Sequence, residues 1–168
     1  ADGIVFNTDS LTAQPIKEDA DYQGVRVTFV ARLGSIRIPL QLDVGFDDVV
    51  TPDPEIIVYP VMLDFPAPRL RGYTPQTVIA EKLEAMVMLG ERNSRMKDFF
   101  DLLHLSQNFE FTYLHLRDAI QRTFTQRNTE LPTRVPVLLL SDHPVIEQKQ
   151  VQWSAFCKKS NLQKAPEF

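Results

Sequence analysis

The chain has 168 residues, 43% of them hydrophobic and 24% charged, enough apolar material for one compact domain or two small ones around a shared core. That composition excludes a disordered tail and a disulfide-stapled mini-protein. With 18 basic and 22 acidic side chains the formal net charge is -4, so no overall positive field draws the chain to nucleic acid or anionic lipid, and any such contact must come from a local patch.

In chain order, Ile4 to Phe6 is a short strand candidate. From Val25 to Leu33, Val25, Val27, Phe29, Ala31 and Leu33 alternate with Arg26, Thr28, Val30 and Arg32, the period of two of a strand with one buried face. The next run repeats the pattern, with Ile36, Ile38, Leu40, Leu42, Val44 and Phe46 on one face and Arg37, Pro39, Gln41, Asp43 and Gly45 on the other. Gly34-Ser35 between them suits a tight turn, which predicts an antiparallel hairpin. Ile56 to Tyr59 is another short strand candidate. The character changes near Pro60, Pro66, Pro68 and the Gly72-Tyr73 pair. A first helix follows, with Thr74 at the N-cap, Pro75 at the first helical position and Gly90 at the exit. Ser94 can cap a second helix to about Leu105, and Thr112 a third to about Thr125. A last short helix around Val151 to Lys159 places Trp153 and Phe156 on one side as core packing, and the chain from Asn161 onward looks frayed.

Three polar placements need an explanation. Asp43 shares the polar face of the hairpin with Arg26, Thr28 and Arg32, which makes either a solvated face or a floor for a metal-bound polyanion, with Arg26 a substrate-binding side chain. On the first helix, Val78, Ile79, Ala85, Met86 and Leu89 form an arc with Lys82 near its middle. An ammonium there must snorkel outward or be held by an anion, as a functional lysine or as half of a structural ion pair. Glu81 and Glu84 lie off that arc and read as solvent-facing. On the second helix, Met96, Phe99, Phe100 and Leu103 make the apolar stripe, and Asp98 and Asp101 are neighbours on the other side. Their repulsion is plain surface charge or is compensated by a cation, a metal or the preceding helix's lysine.

Other chemistries leave no trace. His104, His115 and His143 show no metal-ligand spacing, and no Gly-rich phosphate loop or GxSxG elbow occurs. The single cysteine, Cys157, has no partner for a disulfide or a four-ligand zinc site, which points to a structural thiol in a reducing, cytoplasmic setting. No apolar run approaches the roughly 18 residues a bilayer requires. The N-terminus shows no basic stretch followed by an apolar one, so a soluble, unexported protein with no membrane partner is expected.

The run DYQGVRVTFVARLGSIRIPLQLDVGF, followed by YPVMLDFPAPRLRGYTPQTVIAEKLEAMVMLGERNSRMKDFFDLLHL, resembles the nucleotidyltransferase AbiEii/AbiGii toxin family, the toxin side of type IV toxin–antitoxin and phage-abortive systems. The likeness spans about Asp21 to Leu105 and is most specific in TVIAEKLEAM and NSRMKDFFDL, with weaker traces in AIQRTF and QWSAF. It implies an α+β fold, a partial nucleotidyltransferase-like antiparallel or mixed sheet followed by a helical bundle. Residues 1–70 would be the second half of the β-rich core and 71–168 the helical domain. It further implies Mg²⁺-dependent transfer of a nucleotide from an NTP to an acceptor that in some members is tRNA, and a cognate antitoxin as partner.

By the same resemblance, Asp43 matches the third carboxylate of the superfamily, a metal ligand. Lys82 matches the lysine of the KxxA motif that neutralises triphosphate charge. Asp98 and Asp101 match the KDxxD motif, with Asp98 catalytically required and Asp101 binding substrate, while Arg95 and Lys97 aid phosphate binding. The catalytic set Asp43, Lys82 and Asp98 is expected to converge on one hollow. The chain departs from the family in having no Gly-Ser or Gly-Thr turn leading into an Asp-x-Asp pair, and in Asp47, where a glycine is expected. It therefore reads as the second half of a longer parent or as a degenerate remnant, inactive by itself and with neither Mg²⁺ nor NTP bound. The alternatives are a non-catalytic module that binds an antitoxin or RNA, and a scaffold in which Lys82 simply pairs with Asp98.

Overall fold

A computed structural model of the chain describes residues 2–16, 24–46, 48–162 and 168. Asp47 and residues 21–23 of the family-like run lie outside the described residues, as do residues 163–167 of the segment expected to fray. The architecture is α+β and divides into two compact units, residues 1–48 and residues 49–168.

The first unit is an antiparallel sheet of β1 (Ile4–Pro15), β2 (Gly24–Leu33) and β3 (Ile36–Gly45), in that spatial order. β2 and β3 form the expected hairpin, paired without interruption from Gly24 opposite Gly45 to Leu33 opposite Ile36. The turn works because Gly34 takes φ +57°, a conformation that costs a glycine nothing and suits the first position of a two-residue hairpin loop. Cross-strand pairs keep the alternation: Val27 faces Leu42 and Phe29 faces Leu40 on the apolar side, while Arg26 faces Asp43 and Thr28 faces Gln41 on the polar side.

β1 runs well past the expected Phe6. Its sequence NTDSLT hides the period of two because the register slips between Asn7 and Thr12. The slip is bridged by side chains. Ser10 Oγ accepts the Val30 N–H at 2.9 Å and donates to the Asn7 carbonyl at 2.7 Å. Beyond it the hydroxyls of Thr12 and Thr28 meet at 2.7 Å.

The second unit starts with a two-stranded antiparallel sheet, β4 (Glu55–Val58) and β5 (Arg69–Gly72). β4 corresponds to the expected strand at Ile56; β5 is too short and too basic to show a pattern. At Gly72 a Cβ would lie 2.9 Å from Ile57 Cδ1, so any other residue there would push that side-chain tip aside. The apolar loop between the strands is exposed, and Met62 at its tip is fully so at 100%.

Four helices follow: α1 (Pro75–Leu89), α2 (Met96–Asn108), α3 (Tyr113–Gln126) and α4 (Val145–Lys159). Thr74 caps α1 as expected, its Oγ1 accepting the Thr77 N–H at 3.4 Å, and Gly90 closes it with φ 52°. A web of buried hydroxyls ties this cap to the preceding segment: Thr77 Oγ1 accepts the Thr51 N–H and donates to the Thr51 carbonyl, both at 2.9 Å. At α2 the cap differs from expectation: Arg95, not Ser94, stands at the N-cap with no side-chain cap hydrogen bond, and Asn93 Oδ1 accepts the Arg95 N–H at 2.9 Å just before the helix. α4 begins at Val145, six residues before the expected Val151, behind Pro144.

α1 packs chiefly along α3. The core where the other helices meet is Met86 from α1, Met96 and Phe99 from α2, Leu138 from a 3₁₀ turn, and Trp153 from α4. Trp153 and Phe156, with ring centroids 5.6 Å apart, are core packing as expected. Glu84 is not solvent-facing. It is 4% exposed because Arg127 donates to its Oε2 at 2.9 Å and Thr129 to its Oε1 at 2.6 Å. A carboxylate can enter a helix interface when its oxygens are satisfied this fully.

Candidate functional site

α1 is buried on more than one side, at Thr77, Ala80, Glu84 and Met86, and Lys82 lies one helical turn before Met86; residues 90–95 then turn the chain so that α2 presents Asp98 and Asp101 to that lysine. The two aspartates are three apart and therefore share a face of the helix. Lys82 Nζ lies 2.6 Å from Asp98 Oδ1 and 2.9 Å from Asp101 Oδ2. Lys97 Nζ reaches the same Asp101 oxygen at 2.6 Å from one helical turn away. Two ammoniums and two carboxylates thus form one charge-balanced cluster. Lys82, Asp98 and Asp101 are largely withdrawn from solvent, with side chains 18%, 17% and 23% exposed.

Electrostatics follow from this placement. Burial works against the charge on Lys82, but hydrogen bonds to Asp101 and Asp98, together with the charges of both, outweigh it and raise its pKa above the ordinary lysine value. At Asp101, burial is likewise opposed and overcome by hydrogen bonds from Lys82 and Lys97, which hold the carboxyl below its ordinary range. The mutual repulsion expected of the two aspartates is met by the preceding helix's lysine. That lysine spends two of its three N–H donors on them and keeps one for a further acceptor.

Asp43 and Arg26 belong to the first unit and pair with each other. Arg26 Nε and its terminal nitrogen meet the two oxygens of Asp43 at 2.8 and 2.9 Å, a forked contact between facing residues of β2 and β3, with Gln41 Nε2 3.3 Å away. The Arg26 hydrogen bond is the main reason the Asp43 carboxyl sits below its ordinary pKa. Arg95 stands exposed just before α2. The structure therefore brings Lys82, Lys97, Asp98 and Asp101 together, pairs Arg26 with Asp43 on the sheet, and has the two groups in different units.

Among the described residues no set of three or more His, Cys, Asp or Glu side chains is placed to hold a metal ion, and no helix is long and apolar enough to cross a membrane. His104 stacks on Phe100 with centroids 6.3 Å apart. A depression of about 220 Å³ lies elsewhere on the second unit, lined in part by Asp53, His115, Asp118 and Arg122, and none of the expected site residues lines it.

Sequence reasoning missed Lys149, which is 1% exposed. It shares a stripe with Ile146 and Trp153 at spacings of three and four, and a lysine on such a stripe is the same anomaly that singled out Lys82.

The family model described as nucleotidyl transferase AbiEii toxin, type IV toxin–antitoxin system, matches residues 2–168. No curated protein and no solved structure matches the chain.

Proposed function

The chain belongs to the nucleotidyl transferase AbiEii toxin family of type IV toxin–antitoxin systems, and from that membership we propose that the Lys82 cluster on α1 and α2 handles the triphosphate of a nucleotide donor. In the transfer, an acceptor hydroxyl oxygen forms a bond to the α-phosphorus, the bond from that phosphorus to pyrophosphate breaks, and the hydroxyl proton leaves to a base or to water. Lys82 supplies positive charge to the phosphate oxygens as this happens, and Lys97 and Arg95 add to it at the mouth of the site. Asp98 is the required carboxylate that holds the Lys82 ammonium in place, and Asp101 keeps Lys82 and Lys97 together. The proposed acceptor is an RNA such as tRNA, and the proposed protein partner is a cognate antitoxin.

What supports this reading is one contact: the lysine of the KxxA motif meets both aspartates of the KDxxD motif across two helices. Mg²⁺ carried by the NTP would supply Lewis-acid charge when bound. Asp43 is a single carboxylate already engaged by Arg26, whereas a paired-ion centre needs several carboxylates within about 4 Å of the ions. The described residues do not fit such a centre. With no Gly-Ser or Gly-Thr turn leading into an Asp-x-Asp pair, the 168-residue chain is proposed not to complete transfer by itself.

The scaffold reading has one observation in its favour: the cluster is already neutral, as a structural ion-pair network would be. Titration calorimetry separates the two. NTP binding by the chain that is lost in Lys82→Ala supports the nucleotide site, and no binding by the unaltered chain supports the scaffold. For transfer, radiolabelled NTP with Mg²⁺ should leave RNA unlabelled by this chain. In a longer protein containing it, Lys82→Ala and Asp98→Ala should each abolish labelling and growth arrest; retention of both activities would remove the catalytic assignment.

A further inference from the structure

Lys149 on α4 is buried without a carboxylate among its acceptors. Its Nζ donates to the carbonyls of Glu91 at 2.7 Å and Asn93 at 2.6 Å, with Gln152 Oε1 at 3.5 Å. An ammonium so far from water needs acceptors for its protons. These carbonyls belong to the 3₁₀ turn Gly90–Arg92 that follows α1 and to Asn93, the residue that closes it. Asn93 is itself 1% exposed, and its side chain holds the Arg95 N–H. The connection between α1 and α2 is therefore clamped from α4 at two carbonyls and fixed internally at one N–H.

What that connection controls is the start of α2. One residue of slippage turns a helix by about 100°, which would carry Asp98 and Asp101 off the face that meets Lys82. One helical turn beyond Lys149, Trp153 packs into the core with Met86, Met96 and Phe99. The same side of α4 thus clamps the corner and packs against both helices that leave it.

We propose that Lys149 is a positioning residue for the contact between Lys82 and Asp98: by holding the Glu91 and Asn93 carbonyls it sets the direction in which α2 departs, and with it where the aspartates meet the lysine. Its meaning for nucleotide handling rests on the function proposed above; its geometry does not.

The test follows the carboxyl resonances of Asp98 and Asp101 by NMR as pH is varied, in the unaltered chain, in Lys149→Met and in Lys149→Arg. With Lys149→Met folded, the Asp101 midpoint rises toward the ordinary aspartate value, and Lys149→Arg, which can still donate to the two carbonyls, restores it. An unchanged midpoint in folded Lys149→Met overturns the proposal. Should Lys149→Met fail to fold, Asp98→Asn decides, because coupling between two sites is reciprocal. The Lys149 ¹⁵Nζ resonance then shifts if the proposal holds, and stays in place if it does not. Calorimetry on the same variants adds the functional arm, with NTP affinity falling about tenfold or more in Lys149→Met and recovering in Lys149→Arg. If the unaltered chain binds no NTP, the nucleotide reading fails while the NMR result still judges Lys149.

Discussion

Lys82 and Asp98 stand sixteen residues apart in the chain and 2.6 Å apart in space, each on its own helix. The contact crosses the corner between α1 and α2, so its strength reports on whether that corner is closed. The side chains are neither fully buried nor free in water, which places the worth of the pair between the surface figure and that of a buried ion pair.

Lys82→Met should lower stability by about 1–2 kcal/mol, since it leaves Asp98 without its lysine and Asp101 with Lys97 alone. Asp98→Asn should cost less, because Asp101 still lies 2.9 Å from Lys82. Urea unfolding midpoints of the two variants check the order, and a larger loss in Asp98→Asn would contradict it.

The cluster also sets a pH dependence whose sign is fixed. Asp101 has its pKa lowered by folding, so its contribution is present above the ordinary aspartate value of 3.8 and fades as pH falls through the lower folded value. Lys82 has its pKa raised from 10.5, so its contribution is present below that value and fades as pH climbs through the higher folded one. Unfolding followed across pH should show loss at both ends, and Asp101→Asn should soften the acid limb. A variant with the acid limb of the unaltered chain would show that other carboxylates govern it.

A third prediction concerns the face of α1 that carries Glu84. Arg127→Ala removes a guanidinium that meets Glu84 at 2.9 Å and Glu81 at 3.3 Å. It leaves a carboxylate 4% exposed with Thr129 as its remaining donor in that trio. A loss of about 2 kcal/mol is expected, the cost of a buried charge stripped of one partner and partly re-solvated. The double variant Arg127→Ala with Glu84→Gln should recover part of it; thermal melts of the three variants are the measurement.

In the sheet, two polar contacts should behave differently. Arg26→Ala should leave the unfolding midpoint unmoved, because the pair with Asp43 is exposed on both sides. Ser10→Ala should weaken the sheet by about 1 kcal/mol, since it takes the acceptor from the Val30 N–H. Amide exchange at Val30, faster in Ser10→Ala and unaltered in Arg26→Ala, distinguishes the two.

The hairpin was legible in the sequence because strict alternation leaves one register open to β2 and β3, and α1 because Thr74, Pro75 and Gly90 mark both its ends. The extent of β1 was hidden, since Ser10 replaces a ladder hydrogen bond with a side-chain one and no apolar period survives the slip. Glu84 misled for a related reason. Its partners Arg127 and Thr129 lie more than forty residues away, and a helical arc drawn from α1 alone cannot show them. Lys82, Asp98 and Asp101 were picked out as anomalies of local pattern. Their pairing was one of the alternatives the sequence left open; choosing it required the turn at residues 90–95, which Lys149 in the last helix holds at two carbonyls.

The sequence holds four methionines, and the fold sorts them. Met62 and Met88 are 100% and 58% exposed, while Met86 and Met96 are 1% and 4% exposed in the helical core. A mild peroxide treatment therefore writes two sulfoxides on the intact protein and no more. A third sulfoxide appears only when the helices part, so sulfoxide at Met86 or Met96, read on peptides to set it apart from oxidation of Cys157, becomes a clock for opening of the corner at which Lys82 and Asp98 meet.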